Sequence, residues 1–113
     1  MKKHHTRWLL FTLLMALLGS AQAAEDNVHI RTLAASCAAC HGTNGNSVGG
    51  TPVLAGLDQR HFISQMLAFR SGERPATVMH RHAKGLTPEE IEQLASYFAA
   101  QKRTAATTPT PVE

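Results

Sequence analysis

The sequence predicts a small all-α domain, and three observations carry that prediction. The segment Thr87-Pro88-Glu89-Glu90 has the hydroxyl, proline and acidic residues that begin many helices, and apolar residues follow it every three or four positions. The residues after Asp58 show the same helical spacing of apolar positions. No segment alternates apolar and polar residues as a half-buried strand does. Helices joined by loops are therefore expected.

The first helix is expected to begin at Asp26 or Asn27, because either side chain can cap a helix amino terminus. Its apolar face would be formed by Val28, Ile30, Leu33 and Ala34. Five glycines then lie between positions 42 and 56, so an irregular loop is expected there.

A second helix is expected from Gln59 to about Arg70, with Asp58 as its cap and the segment from Ser71 to Pro75 as its stop. Its apolar face would be formed by Phe62, Ile63, Met66, Leu67 and Phe69.

Residues 76–85 are basic and predict an irregular segment, or at most a short turn of helix. The last helix follows the cap at Thr87 and carries its apolar stripe on Ile91, Leu94, Ala95 and Phe98. It should end near Lys102, where a cation suits the negative end of the helix dipole.

The motif Cys37-Ala38-Ala39-Cys40-His41 carries the chemistry of the chain. Two residues between the cysteines allow both thiols to bond to the vinyl groups at the edge of one haem, and the adjoining histidine can then bind the iron. The motif therefore predicts one covalently attached haem c. Cys37 and Cys40 would attach it, and His41 would be an axial ligand of its iron.

Three other uses of the two cysteines are less compatible with the sequence. A thioredoxin-like redox pair belongs in a βαβ unit, of which there is no sign. A zinc site with His80 or His82 lacks the second tight pair of ligands that structural zinc sites usually have. A disulfide between Cys37 and Cys40 would close a small, strained ring.

The second axial ligand has two methionine candidates. Met66 lies on the apolar face of the second helix, where methionine is usually a core filler. Met79 lies in a polar segment, where an apolar thioether has no packing role, and is the preferred candidate. His80 and His82 are alternative ligands for the same position.

Four segments together resemble the class I c-type cytochromes, over roughly Val28 to Gln101. They are Cys37 to Asn46, Pro52 to Gly56, Phe69 to Pro75, and the stretch from Met79 through Glu90 and Ile91. Within that class the chain resembles the small periplasmic monohaem group and the cytochrome subunit of flavocytochrome c sulfide dehydrogenase. It departs from the dihaem members in having a single C-x-x-C-H motif.

The resemblance implies the small cytochrome c fold, in which helices wrap around one haem. It implies that Met79 is the axial methionine and that the Pro52 carbonyl lies against the ring of His41. The implied function is electron transfer, with a sulfide-oxidising flavoprotein as donor and an oxidase or photosynthetic centre as acceptor. No nucleophile with its base and no paired carboxylates are recognisable, so a carrier is expected; the alternative is a haem enzyme or gas sensor with a displaceable sixth ligand.

Residues 1–23 have the pattern of a secretory signal: a basic start, an apolar run from Trp8 to Leu18, and the small residues Ala21 and Ala23 before a cleavage point. We expect a signal peptide over 1–23, a haem domain over 24–103 and a disordered tail over 104–113, with the mature protein in the periplasm. A retained membrane anchor is the alternative, although this run is shorter than the roughly 20 residues of a spanning helix.

The net charge argues against a nucleic-acid partner. The 11 Lys and Arg residues of the whole chain include Lys2, Lys3 and Arg7, and without these three the remaining cations equal the 8 Asp and Glu residues. A formally neutral mature chain lacks the basic excess that nucleic-acid binding requires.

Overall fold

The computed structural model of the chain describes Trp8 and residues 27–104. Over 27–104 the backbone forms four helices and one short 3-10 turn, and this range contains no β-strand. Helix α1 covers residues 27–41, α2 Gln59–Ser71, α3 Met79–Lys84 and α4 Pro88–Ala99. The predicted all-α class is confirmed. The predicted cleavage point, and the tail beyond Thr104, lie outside the described residues.

Helix α1 runs directly into the cysteine motif and ends at His41. Asn27 is already helical, so it does not cap α1 from outside, and Asp26 lies outside the described residues. Gly42 ends the helix with a φ of 77°, and its N–H donates to the carbonyl of Ala38 at 3.0 Å. A side chain at Gly42 would clash with the carbonyl of Asn46, so only glycine fits this position.

The loop after α1 folds back on itself at Gly45. It contains one 3-10 turn, Thr43–Gly45, where the sequence predicted no regular structure. The carbonyl of Gly45 accepts hydrogen bonds from the N–H groups of Leu54 at 2.8 Å and Ala55 at 3.1 Å. An added Cβ on Gly45 would come within 2.9 Å of Leu54, Ala55 and Phe98. This close approach returns residues 51 and 52 to the end of α1.

Helix α2 begins and ends close to the predicted positions. The side chain of Asp58 accepts a hydrogen bond from the N–H of His61 at 2.9 Å, as expected of a cap. Gly72, with a φ of 83°, ends the helix. Phe62 and Met66 are its buried residues.

Helix α3 is longer than the single turn that the sequence allowed at most. It runs for six residues, from Met79 to Lys84. The guanidinium of Arg70, on α2, donates to the carbonyls of Ala83 at 3.2 Å, Lys84 at 3.3 Å and Leu86. These carbonyls lie at the end of α3, where a helix lacks its own donors, so Arg70 stabilises the helix end.

Helix α4 has the predicted capping box but ends earlier than predicted. The Thr87 hydroxyl accepts from the N–H of Glu90, and the Glu90 carboxylate accepts from the N–H of Thr87. The helix ends at Ala99 instead of near Lys102. The carbonyl of Phe98 accepts instead from the N–H groups of Gly56 at 2.9 Å and Gln101 at 3.1 Å, so it is no longer available for another helical turn.

The segment after α4 is fixed to the loop that follows the cysteine motif. The side-chain amide of Asn46 donates to the carbonyl of Lys102 at 3.1 Å and accepts from the N–H of Thr104 at 2.8 Å. Thr104, which the sequence assigned to the disordered tail, therefore has a hydrogen-bond partner in the domain.

The core is formed where α1, α2 and α4 meet, with one residue from α3. The rings of Phe62 and Phe98 are 5.8 Å apart, and that of Tyr97 meets Phe98 edge to face at 5.2 Å. The buried residues of the cluster are Ile30, Ala34, Phe62, Met66, Ala83, Ile91, Leu94, Ala95 and Phe98. Such a small set of side chains is a limited core for a domain of this size.

The start of α4 is also fixed to α1, and this contact should depend on pH. His29 donates from Nε2 to the Glu90 carboxylate at 2.7 Å. The N–H of Thr87 and the His29 ring hold the pKa of the Glu90 carboxyl below its usual range. A carboxyl with a lowered pKa adds stability above its unfolded-state pKa, and this stability is lost as the pH falls through its folded-state pKa.

We therefore expect Glu90→Gln to lower the free energy of unfolding by about 0.5 to 1 kcal/mol at neutral pH, because both contacts are at an exposed helix start. The difference from the parent should shrink as the solution is acidified. Denaturant unfolding in neutral and acidic buffers measures both values. Glu89→Gln is the control, because Glu89 is an exposed neighbour whose side chain forms no hydrogen bond within residues 27–104. A pH-independent difference would contradict the role given to the carboxylate.

Candidate haem-binding site

The cysteine motif occupies the last turn of α1, and the helix places its three reactive side chains together. Cys37 lies three residues before Cys40 and four before His41, and residues at these spacings share one face of a helix. Cys37 is half-buried, Cys40 is exposed and His41 is buried. Neither sulfur is in a disulfide. Two free thiols on the face that carries a histidine fit a haem bonded at its edge.

The two thiols differ in their surroundings. Burial raises the pKa of the Cys37 thiol, and its S–H points to the carbonyl of Leu33 at 3.4 Å. A raised pKa favours the neutral thiol, which is a poorer nucleophile than the thiolate. Because Cys40 is exposed and Cys37 is half-buried, Cys40 is the more accessible of the two to reagents in solution.

His41 is held by one hydrogen bond that decides which nitrogen can bind a metal. Its Nδ1 lies 2.7 Å from the carbonyl oxygen of Pro52. A carbonyl can only accept, so the proton lies on Nδ1 and the lone pair on Nε2. This is the orientation that a histidine takes as an iron ligand. The structure thus brings Pro52 to His41, and the role of this pair at a haem stays a prediction.

The two candidate methionines lie in different surroundings. Met66 is 6% exposed within the core, among aromatic and aliphatic side chains. Met79 is half-buried at the first position of α3, at the edge of that core. Beside it, Nδ1 of His80 is a buried nitrogen that has no hydrogen-bond partner among the described residues. Unpaired buried polar atoms are rare, so this edge fits a binding site for a group that brings its own hydrogen-bonding atoms.

The zinc arrangement is not formed. Within the described part of the chain, no three His, Cys, Asp or Glu side chains lie together as a metal-binding group. Cys37 and Cys40 are therefore not joined by His80 or His82 in a zinc site.

Comparison with known proteins agrees with the geometry of the motif. The family model for cytochrome c matches residues 29–102, which is more than half of the chain. The chain belongs to the cytochrome c family. Covalently attached haem c is accordingly the cofactor of this cytochrome, and electron transfer is the role of its family.

Individual relatives of this cytochrome include a cytochrome subunit of a dehydrogenase and other c-type cytochromes. The cytochrome subunit of sulfide dehydrogenase from Chlorobaculum tepidum is 47% identical over 66 residues, 58% of this chain and 60% of the relative. Cytochrome c4 from Pseudomonas aeruginosa is 38% identical over 97 residues, 83% of this chain and 48% of the relative. The chain thus covers less than two thirds of the length of either protein.

A third relative is matched over almost its whole length. Cytochrome c-554(548) from Halomonas halodenitrificans is 34% identical over 88 residues, 74% of this chain and 99% of the relative.

No helix among the described residues of this chain is long and apolar enough to cross a bilayer.

Two residues near the motif were missed by the sequence reasoning. The hydroxyl of Thr51 donates to the carbonyl of Cys40 at 2.5 Å, and it lies 2.7 Å from the hydroxyl of Ser47. Their only signal in the sequence was the position of Thr51 beside Pro52. Hydroxyl residues in a glycine-rich loop are common, so this signal could not have singled them out.

Replacing each cysteine tests the attachment residues. Because the haem-binding thiols would be Cys37 and Cys40, the acid-denatured parent should keep the mass of one haem, measured by mass spectrometry. Cys37→Ala or Cys40→Ala should each leave one thioether bond or none. Ser36→Ala, a neighbouring exposed residue, is the control and should keep both bonds. Release of haem from the denatured parent would contradict the assignment.

Proposed function

We propose that this cytochrome is a periplasmic electron-transfer protein with one haem c, held by Cys37 and Cys40 and ligated by His41 and Met79. The haem supplies a one-electron couple between ferrous and ferric iron. The observation that carries the proposal is the buried His41, whose Nδ1 donates to the Pro52 carbonyl and leaves the lone pair on Nε2, in the helix turn that also carries two free thiols.

The chain's own residues favour electron transfer over catalysis at the metal. His41 and Met79 together would fill both axial positions of a bound haem iron, so neither position would be open to a substrate. A thioether is a soft ligand that favours the ferrous state and raises the reduction potential. The Pro52 carbonyl fixes the His41 ring, which limits rearrangement when the oxidation state changes.

The proposed donor is a sulfide-oxidising flavoprotein subunit, and the proposed acceptor is an oxidase or photosynthetic centre. The support for the donor is the similarity to the Chlorobaculum tepidum cytochrome subunit of sulfide dehydrogenase. The periplasmic location rests on the signal pattern of residues 1–23, of which the structure describes only Trp8.

Replacing Met79 tests the ligand set and separates a carrier from a gas-binding protein. We expect Met79→Ala to abolish the near-infrared band of methionine-bound ferric haem and to lower the potential, because a soft ligand is lost. The ferrous parent should resist carbon monoxide, whereas the ferrous variant should bind it rapidly. Absorption spectra and stopped-flow mixing measure these changes.

Met66→Ala is the matched control. It should keep the band and the resistance to carbon monoxide, while destabilising the fold by about 2 to 5 kcal/mol, as expected for a buried methionine. An intact band in the Met79 variant would move the ligand role to His80 or His82. Rapid carbon monoxide binding by the parent would favour a haem enzyme or gas sensor.

The exposed cations of α3 provide a docking surface beside Met79. Residues 60–84 hold five cations, but two of them are engaged within the domain: Arg70 binds carbonyls, and Arg74 stacks on Phe69 at 4.6 Å. Arg81 and Lys84 are exposed on α3, and neither forms an ion pair within residues 27–104. An acidic patch on the redox partner would complement them.

Charge reversal tests this docking surface. We expect Arg81→Glu to slow the second-order electron exchange with an acidic redox partner on the order of threefold or more at low salt, because steering acts on the encounter rate. The rate for the parent should fall as salt screens the charges. Stopped-flow kinetics measure both effects, with unchanged haem spectra as a check on integrity.

Arg60→Glu makes the same charge change elsewhere. Arg60 is exposed near the start of α2, about 15 Å along the helix from Arg70 at the rise of a regular helix. It should have a much smaller effect than Arg81→Glu. Equal effects of the two variants would assign the slowing to net charge instead of to the α3 surface.

A further inference from the structure

A directed chain of hydrogen bonds ends beside the iron-binding histidine. The hydroxyl of Thr51 donates to the carbonyl of Cys40 at 2.5 Å, since a carbonyl can only accept. That bond uses the only hydroxyl proton of Thr51, so the hydroxyl of Ser47, 2.7 Å away, must donate to the Thr51 oxygen. Ser47 in turn accepts from the N–H of Gly49 at 3.3 Å. Each group in the series has its donor and acceptor roles fixed.

This series of hydrogen bonds joins the same two backbone segments as the hydrogen bond between His41 and Pro52 does. Cys40 and His41 are adjacent, and so are Thr51 and Pro52. Thr51 therefore binds Cys40 directly beside the place where Pro52 binds His41. Cys40 also lies in the last turn of α1, so its carbonyl lacks a helical partner and the Thr51 hydroxyl supplies one.

Hydrogen bonds fix the backbone before and after Pro52, and Thr51 forms the one that comes before it. Beyond Pro52, the N–H of Leu54 binds the carbonyl of Gly45 at 2.8 Å. Before it, the chain passes through Gly49 and Gly50, where an added Cβ would meet nothing within 4 Å. Between these open glycines and Pro52, the Thr51 hydroxyl is the contact that ties the loop to α1.

We propose that Thr51, oriented by Ser47, is a positioning residue that sets the strength of the hydrogen bond between His41 and Pro52 and thereby tunes the reduction potential. This inference rests on the proposed ligation of iron by His41. A stronger bond at Nδ1 makes the imidazole a more basic ligand, which stabilises ferric iron and lowers the potential. Loss of the hydrogen bond from Thr51 to Cys40 therefore weakens the bond between His41 and Pro52 and raises the reduction potential.

The test compares Thr51→Val, which keeps the shape of the side chain, with Thr51→Ser, which keeps the hydroxyl. In the haem-loaded Thr51→Val protein, exchange of the His41 Nδ1 proton with solvent should be faster by about two- to tenfold. This range corresponds to losing one neutral hydrogen bond, here the one from Thr51 to the Cys40 carbonyl. Its potential should rise. Thr51→Ser should restore both values. Nuclear magnetic resonance of the ferrous protein and voltammetry are the measurements.

Two further variants complete the design. Ser47→Ala removes the donor to Thr51 and the acceptor of the Gly49 N–H, but it leaves the Thr51 hydroxyl and its bond to Cys40 in place. It should shift both readouts in the same direction by a smaller amount, and it keeps the test decisive if Thr51→Val folds poorly. Thr32→Val removes a hydroxyl that donates to the carbonyl of Val28 at 2.9 Å elsewhere on α1, and it should change neither readout.

The outcomes separate this inference from the ligand assignment. Haem-shifted resonances of the His41 ring in the parent test ligation by itself, whatever Thr51 does. Given those resonances, unchanged proton exchange and potential in both Thr51→Val and Ser47→Ala would overturn the proposal, even if Thr51→Val melts earlier. A lowered potential in either variant would overturn it as well.

Discussion

The hydrogen bond from His41 to the Pro52 carbonyl is the constraint on which the site depends. It can form only if α1 ends at Gly42 and the loop returns at Gly45, because both turns are needed to bring residue 52 back to residue 41. Two glycines with positive φ, Gly42 and Gly45, thus position His41, the proposed iron ligand, against Pro52. The bond also removes any ambiguity about which histidine nitrogen carries the proton.

The parts of the fold that could be predicted are those with local causes. The capping box at Thr87, the cap at Asp58 and the stop at Gly72 each involve residues a few positions apart, so their chemistry is visible in the sequence. The cysteine motif is equally local, because covalent attachment requires a fixed spacing along one helix turn. The apolar positions of α2 and α4 then identified most of the core.

The parts that could not be predicted depend on contacts between distant residues. Helix α3 reaches six residues because Arg70 binds the carbonyls at its end, and α4 stops early because Gly56 takes the carbonyl of Phe98. Nothing in the sequence around Arg70 indicates that its guanidinium binds carbonyls 13 to 16 residues further along the chain. The hydroxyls of Ser47 and Thr51 were missed for a similar reason, since their importance comes from where the loop folds and not from their own neighbours in the chain.

The contact between His29 and Glu90 joins residues 61 positions apart, and it has a consequence for the order of biosynthesis. A chain made from its amino terminus presents α1 long before α4 exists. During that interval Cys37 lacks the packing that half-buries it in the finished domain. The Cys37 thiol is therefore more accessible before α4 packs against α1 than it is in the finished domain.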